Sequence, residues 1–238
     1  MRHNEVEHRQ LDRNGVTLHL ACQGAGPLVV MCHGYPGLWY SWRHQMSALA
    51  RAGYTAVALD MRGYGRSSRP ADIESYGFDQ LSADVLAVFD DFQAEQAVLL
   101  GHDFGANLTW HMAIYHPQRL RGIAPLCVPY DMELAGGSDV LPSTLFAAIA
   151  KRHFFHMHYY QQQGLAESHL LGREREFLER LFWALCAKGD LLNWENFPSE
   201  GTQYIDVLAP PGEALPWSWL SEQDMDFYQQ EYLAAGPE

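Results

Sequence analysis

Gly101-His102-Asp103-Phe104-Gly105 is the stretch that decides how this chain is read. It stands between a short apolar run, Ala97 to Leu100, and a helix expected from about Ala106, so a strand turns abruptly into a helix with Asp103 at the apex. A nucleophile on so tight a turn takes a strained backbone, and larger neighbours would collide with the strand before it or the helix after it. Gly101 and Gly105 meet that requirement. Taken alone, an aspartate at a strand-to-helix junction more commonly caps the helix through its side chain.

Working outward, Leu28 to Cys32, Thr55 to Leu59 and Leu120 to Cys127 are further short, mostly apolar runs, as expected of parallel strands covered on both faces. Between two of them, Phe78, Leu81, Val85, Val88/Phe89 and Phe92 recur at three-to-four spacing and predict an amphipathic helix. This alternation implies an α/β fold with a doubly wound, mostly parallel sheet. Ahead of it, Val6 to Leu11 and Val16 to Cys22 around Asn14-Gly15 read as a β-hairpin. Two more clusters sit at strand ends, where open α/β sheets place their sites. In His33-Gly34-Tyr35-Pro36 the glycine allows a sharp turn, making the Tyr35 N–H a candidate oxyanion donor. The run Asp60-Met61-Arg62-Gly63-Tyr64-Gly65-Arg66-Ser67-Ser68 lacks the third glycine and the lysine of a phosphate loop and reads as structural. The three clusters together, in this order, favour Asp103 as nucleophile over Asp103 as cap.

From His33 to Pro129 the sequence resembles soluble epoxide hydrolases of the α/β-hydrolase fold, through HGYPGLWYSWRHQ, DMRGYGRSS and GHDFGANLTWHMA. YYQQQGLAE and SEQDMDFYQQEY continue the likeness into the helical cap domain of those enzymes. The resemblance implies residues 1–130 as the N-terminal part of the α/β-hydrolase core and 131–238 as the cap. It further implies that Asp103 attacks an epoxide carbon to leave an alkyl ester, which water hydrolyses to a diol while the N–H groups of Tyr35 and Phe104 receive the developing charge. Tyr35, Pro36, Phe104 and Trp39 would line the substrate slot, and His156 falls at the position of the first cap tyrosine, the proton donor to the alkoxide. A histidine beside His153 and His158 is equally read as an ordinary polar residue. Tyr228 and Tyr232 lie too early to match the second cap tyrosine. The acid and histidine of the triad follow the cap in this family, so the C-terminal strands and the base of the hydrolytic step are expected to be missing; His102, His111, His116 and Asp131 do not replace them. A sheet short of strands would be marginally stable or self-associate as a homo-oligomer.

Past Pro129 the pattern is helical, with Phe177, Leu178, Leu181, Phe182 and Leu185 on one face. Asn193 to Trp219 reads as a long loop, and Ser221 to Asp224 as a capping box for a last helix ending near Gly236-Pro237. The 238 residues are 47% hydrophobic, ample for a core, and carry 16 basic against 29 acidic residues, a formal charge of −13. That charge repels phosphate backbones and anionic lipid, so neither nucleic acid nor membrane is expected as a partner. The N-terminus has no apolar segment of signal type, and the cytoplasm is the expected location. Cys22, Cys32, Cys127 and Cys186 lack ligand spacing and read as reduced core thiols; no metal and no cofactor is implied. Two competing readings are a haloalkane or haloacetate dehalogenase, which needs a halide-binding donor that Phe104 cannot provide, and a non-catalytic protein that binds small apolar molecules.

Overall fold

The computed structural model describes residues 5–13, 15–130 and 141–234. The chain divides into two compact units, Met1–Asp131 and Met132–Glu238. Asn14, Asp131 and the Gly236-Pro237 helix end lie outside the described residues.

The first unit is built on six strands in the order β1-β2-β4-β3-β5-β6. β1 (Glu7–Arg13) and β2 (Val16–Gly24) form the expected antiparallel hairpin, with Arg13 opposite Val16. β2 runs antiparallel to β4 (Thr55–Leu59), while β3 (Leu28–Cys32), β4, β5 (Ala97–His102) and β6 (Leu120–Leu126) are mutually parallel. β3 is buried throughout, as its unbroken apolar run requires. β6 differs from expectation: it pairs only with β5 among the described residues and is partly to fully exposed along its length.

α1 (Arg43–Arg51), α2 (Phe78–Asp91) and α3 (Phe104–Tyr115) complete this unit. The α2 stripe forms as read: Leu81, Val85, Val88 and Phe89 are buried in the core with Phe78 and Phe92 packed against it. Each fully buried aliphatic side chain there contributes about 1.5–3 kcal/mol. α3 starts at Phe104, two residues earlier than predicted, so Asp103 adjoins the first helical residue directly.

The second unit is helical: α4 (Pro142–Ala150), α5 (His156–Tyr159), α6 (Leu165–Leu170), α7 (Glu174–Leu185), α8 (Tyr204–Val207) and α9 (Glu222–Ala234). The capping box closes α9, Ser221 Oγ accepting from the Asp224 N–H at 3.1 Å and Asp224 Oδ2 accepting from the Ser221 N–H at 2.8 Å. Two expectations change. On α7 the buried face is Phe177, Leu178, Leu181, Trp183 and Ala184, while Leu185 is exposed. Within Asn193 to Trp219, Tyr204, Ile205, Val207, Leu208 and Trp217 are buried and part of the run is helical, because these apolar side chains fold the segment onto its own unit. Among the cysteines, all four are free; Cys22 and Cys32 are buried, whereas Cys127 is exposed at a positive φ of 63° just past β6.

Candidate active site

The backbone of Asp103 sits at φ 55°, ψ −119°, the strained apex of the turn between β5 and α3. Its side chain makes no capping bond to α3, so the helix-cap alternative does not describe it. The tightness of the elbow is measurable at its glycines. A Cβ on Gly101 would lie 2.0 Å from the Gly105 carbonyl oxygen, and one on Gly105 would lie 2.3 Å from the Cys32 carbonyl oxygen. Any side chain at either position would force backbone apart.

From the end of β3, the loop His33–Trp39 approaches the same carboxylate. A Cβ on Gly34 would fall 2.3 Å from Asp103 Cβ, so only glycine permits the contact. The next residue, Tyr35, donates its N–H to Asp103 Oδ1 at 3.0 Å. Neither Asp103 Oδ2 nor the Phe104 N–H, an orphan donor of the first turn of α3, has a hydrogen-bond partner among the described residues. One carboxylate oxygen is therefore held and the other is open.

Beneath this loop lies a second set of polar residues that sequence reading left as structure. The buried His33 bonds the Gly34 carbonyl through Nδ1 at 2.9 Å, and its Nε2 accepts from the Met61 N–H at 3.1 Å. Nδ1 therefore carries the proton. Burial lowers the His33 pKa, only partly opposed by Asp60, which keeps the ring neutral. Asp60 is fully buried: Oδ1 accepts from the Trp39 N–H at 2.9 Å, and Oδ2 takes His19 Nδ1 at 2.7 Å and the Arg66 N–H at 3.2 Å. Burial pushes its pKa up, but the His19 hydrogen bond and nearby His33 outweigh that, so the net shift is downward and Asp60 is ionised. The signal for His19 was in the sequence, a polar ring within the apolar run of β2.

The other predicted residues are placed as follows. Trp39 is 5% exposed, with its ring edge-on to His8 at 5.0 Å and to His19 at 6.2 Å; its backbone, through Asp60, is what anchors the loop. Pro36 follows Tyr35 through a cis peptide bond. The Phe104 ring stacks on Phe78 at 5.4 Å, and Phe78 in turn on His111 at 5.3 Å, so His111 belongs to an aromatic stack. His156 opens α5 in the second unit, its ring stacked on Tyr204 at 5.8 Å and 18°. Tyr228 is buried against Phe182.

An aspartate on a strained strand-turn-helix apex, a loop at the end of the neighbouring strand that donates a backbone N–H to it, and this strand order are the features of an α/β-hydrolase. A family model for the alpha/beta hydrolase fold matches residues 27–167, and the chain belongs to that family. Similar proteins within it include epoxide hydrolases. Epoxide hydrolase A of Mycobacterium tuberculosis is 38% identical over 231 residues, 96% of this chain and 70% of that protein. Bifunctional epoxide hydrolase 2 of Sus scrofa is 34% identical over 95% of this chain, which spans 39% of that longer protein. The crystal structure of Epoxide Hydrolase A from Mycobacterium thermoresistibile superposes with a TM-score of 0.87 at 38% identity, covering 98% of this chain and 72% of that one. No described helix is long and apolar enough to cross a membrane.

Proposed function

We propose that this protein opens epoxides by nucleophilic attack of Asp103. The observation that carries the reading is the state of the Asp103 carboxylate: Oδ1 is held by the Tyr35 N–H at 3.0 Å and Oδ2 has no partner among the described residues. Oδ2 attacks a ring carbon, the C–O bond of the epoxide breaks, and the departing alkoxide takes a proton. An alkyl ester of Asp103 results, with Oδ1 as its carbonyl oxygen. Water adds to that carbonyl carbon and gives up a proton while negative charge gathers on Oδ1 between the Tyr35 and Phe104 N–H groups; collapse breaks the ester C–O bond, the departing oxygen takes up a proton to complete the diol, and the regenerated carboxyl ionises again.

Tyr35, Pro36 and Phe104 form the slot for an apolar epoxide, with Trp39 supporting the loop that carries two of them. By the resemblance, the second unit corresponds to the cap domain of epoxide hydrolases, and His156 to the position of its proton-donating first tyrosine. A cytoplasmic location and self-association belong to the same reading.

Intact-mass measurement after incubation with aryl and terminal alkyl epoxides tests it. A gain of one substrate mass mapping to Asp103, or diol release, either one absent in Asp103→Asn, supports the proposal. Folded protein that yields neither adduct nor diol refutes it.

A further inference from the structure

Behind the oxyanion loop, three ionisable side chains from three separate segments form one hydrogen-bonded line. Asp60 Oδ2 meets His19 Nδ1 at 2.7 Å, and His19 Nε2 meets His8 Nδ1 at 2.9 Å. The imidazole rings lie end to end, 17° apart in plane with centroids 5.1 Å apart. Asp60 and His19 are buried, whereas His8, on β1, is exposed. An ionised carboxylate only accepts, so His19 donates through Nδ1; in the tautomer that leaves Nε2 with a lone pair, it accepts there from His8 Nδ1. The line therefore runs with one polarity from solvent to Asp60.

We propose that His19 is a positioning residue for the Tyr35 donor, and that the His8–His19–Asp60 line transmits the protonation of His8 to the loop carrying it. The far oxygen of Asp60 holds the Trp39 N–H, the distal anchor of the His33–Trp39 loop, while His33 ties the proximal end to Met61. When His8 gains a proton, its bond to His19 becomes charge-assisted, which makes the His19 Nδ1–H a stronger donor to Asp60. Electron density drawn to Oδ2 weakens Oδ1 as acceptor for Trp39, and the anchor of the loop loosens. The histidine side chain changes charge in the range between pH 5 and 8, so the effect falls where a cell would feel it.

The other charges facing this line come from every neighbouring element. Glu7 and Arg9 flank His8 on β1, with Arg9 paired to Asp91, the last residue of α2, at 3.1 Å. His33 faces Asp60 from the loop after β3, and Arg66 reaches it through its backbone after β4. The turn bearing Trp39 contributes Tyr40, under the guanidinium of Arg43. Among the described groups none stands between His8 and His19, and His8 is the exposed member of the line.

The inference rests on Tyr35 being the oxyanion donor, but its test needs no epoxide, so its failure is separable from failure of the proposed reaction. In ¹⁵N-labelled full chain, NMR follows the histidine rings and the Trp39 and Tyr35 amides from pH 5 to 8. The expected result is that both amides shift with the same midpoint as the His8 ring, the Trp39 proton moving upfield on acidification as its bond weakens. Both steps vanish in His8→Gln and persist in His44→Gln, a variant of an exposed histidine outside the line. Amides that stay flat while His8 titrates, or that titrate unchanged in His8→Gln, overturn the proposal.

Discussion

Asp103 and Asp60 are the same residue type in matching places, each just past the end of a parallel strand, and they are built for opposite ends. Asp60 is fully buried with three donors across its two oxygens, and its backbone neighbours close over it. Asp103 is only partly buried, sits on a positive-φ apex and accepts a single bond. A carboxylate saturated with donors is a poor nucleophile and a strong structural brace; one with a free oxygen in strained backbone is the reverse. In the proposed reaction chemistry and support are thus divided between two aspartates, joined by the loop that donates Tyr35 to one and Trp39 to the other.

The sharpest way to break this division is Asp103→Asn. Covalent adduct formation should fall to background in the mass spectrum, while the unfolding free energy from urea titration stays within about 0.5 kcal/mol of the parent, since so few bonds depend on the side chain. A large stability loss would show that Asp103 is structural too. The converse variant, Asp60→Ala, strands the Trp39 and Arg66 N–H groups and His19, and should lower unfolding free energy by about 3–5 kcal/mol. A loss below about 1 kcal/mol would remove the distinction between the two residues.

Gly105→Ala tests whether the elbow geometry itself is needed, because its Cβ would meet the Cys32 carbonyl at 2.3 Å. A destabilisation of about 1–3 kcal/mol is expected, accompanied by loss of adduct formation. The smallest effect concerns pH. His33 has a depressed pKa in the folded state, so its contribution to stability is complete above the ordinary imidazole range and is lost as pH falls toward the folded value. Asp60, also depressed, loses its contribution as pH falls below the ordinary carboxylate range. Urea titrations at stepped pH should show stability declining on acidification in two stages, the first absent in His33→Gln, with about 1.4 kcal/mol for each unit of displacement.

Much of the first unit is legible in the sequence. The bounds of β3 and β4 are those of the apolar runs Leu28–Cys32 and Thr55–Leu59, and the α2 stripe faces the core as its spacing requires. The elbow could be read because its two glycines flank the aspartate directly, a constraint expressed within five residues. Asn193 to Trp219 could not be read as well, since its buried residues lack any regular period and their partners lie elsewhere in the chain. The burial of β6 was likewise misjudged, because an edge and a central strand can share one composition.

What the sequence determined by itself was therefore local: which segments are strands or helices, where the chain turns, and which aspartate stands on the turn. Periodicity and glycine placement act between residues a few positions apart, and their physics is complete within that span. Only the tertiary structure decided that Tyr35 donates to Asp103 across 68 positions, that His33 braces Met61, and that His8, His19, Trp39 and Asp60 meet behind the loop. Those meetings follow from strand order and register, which place β1, β2, β4 and β3 side by side, and no pattern along the chain encodes the distance between atoms that the sheet brings together.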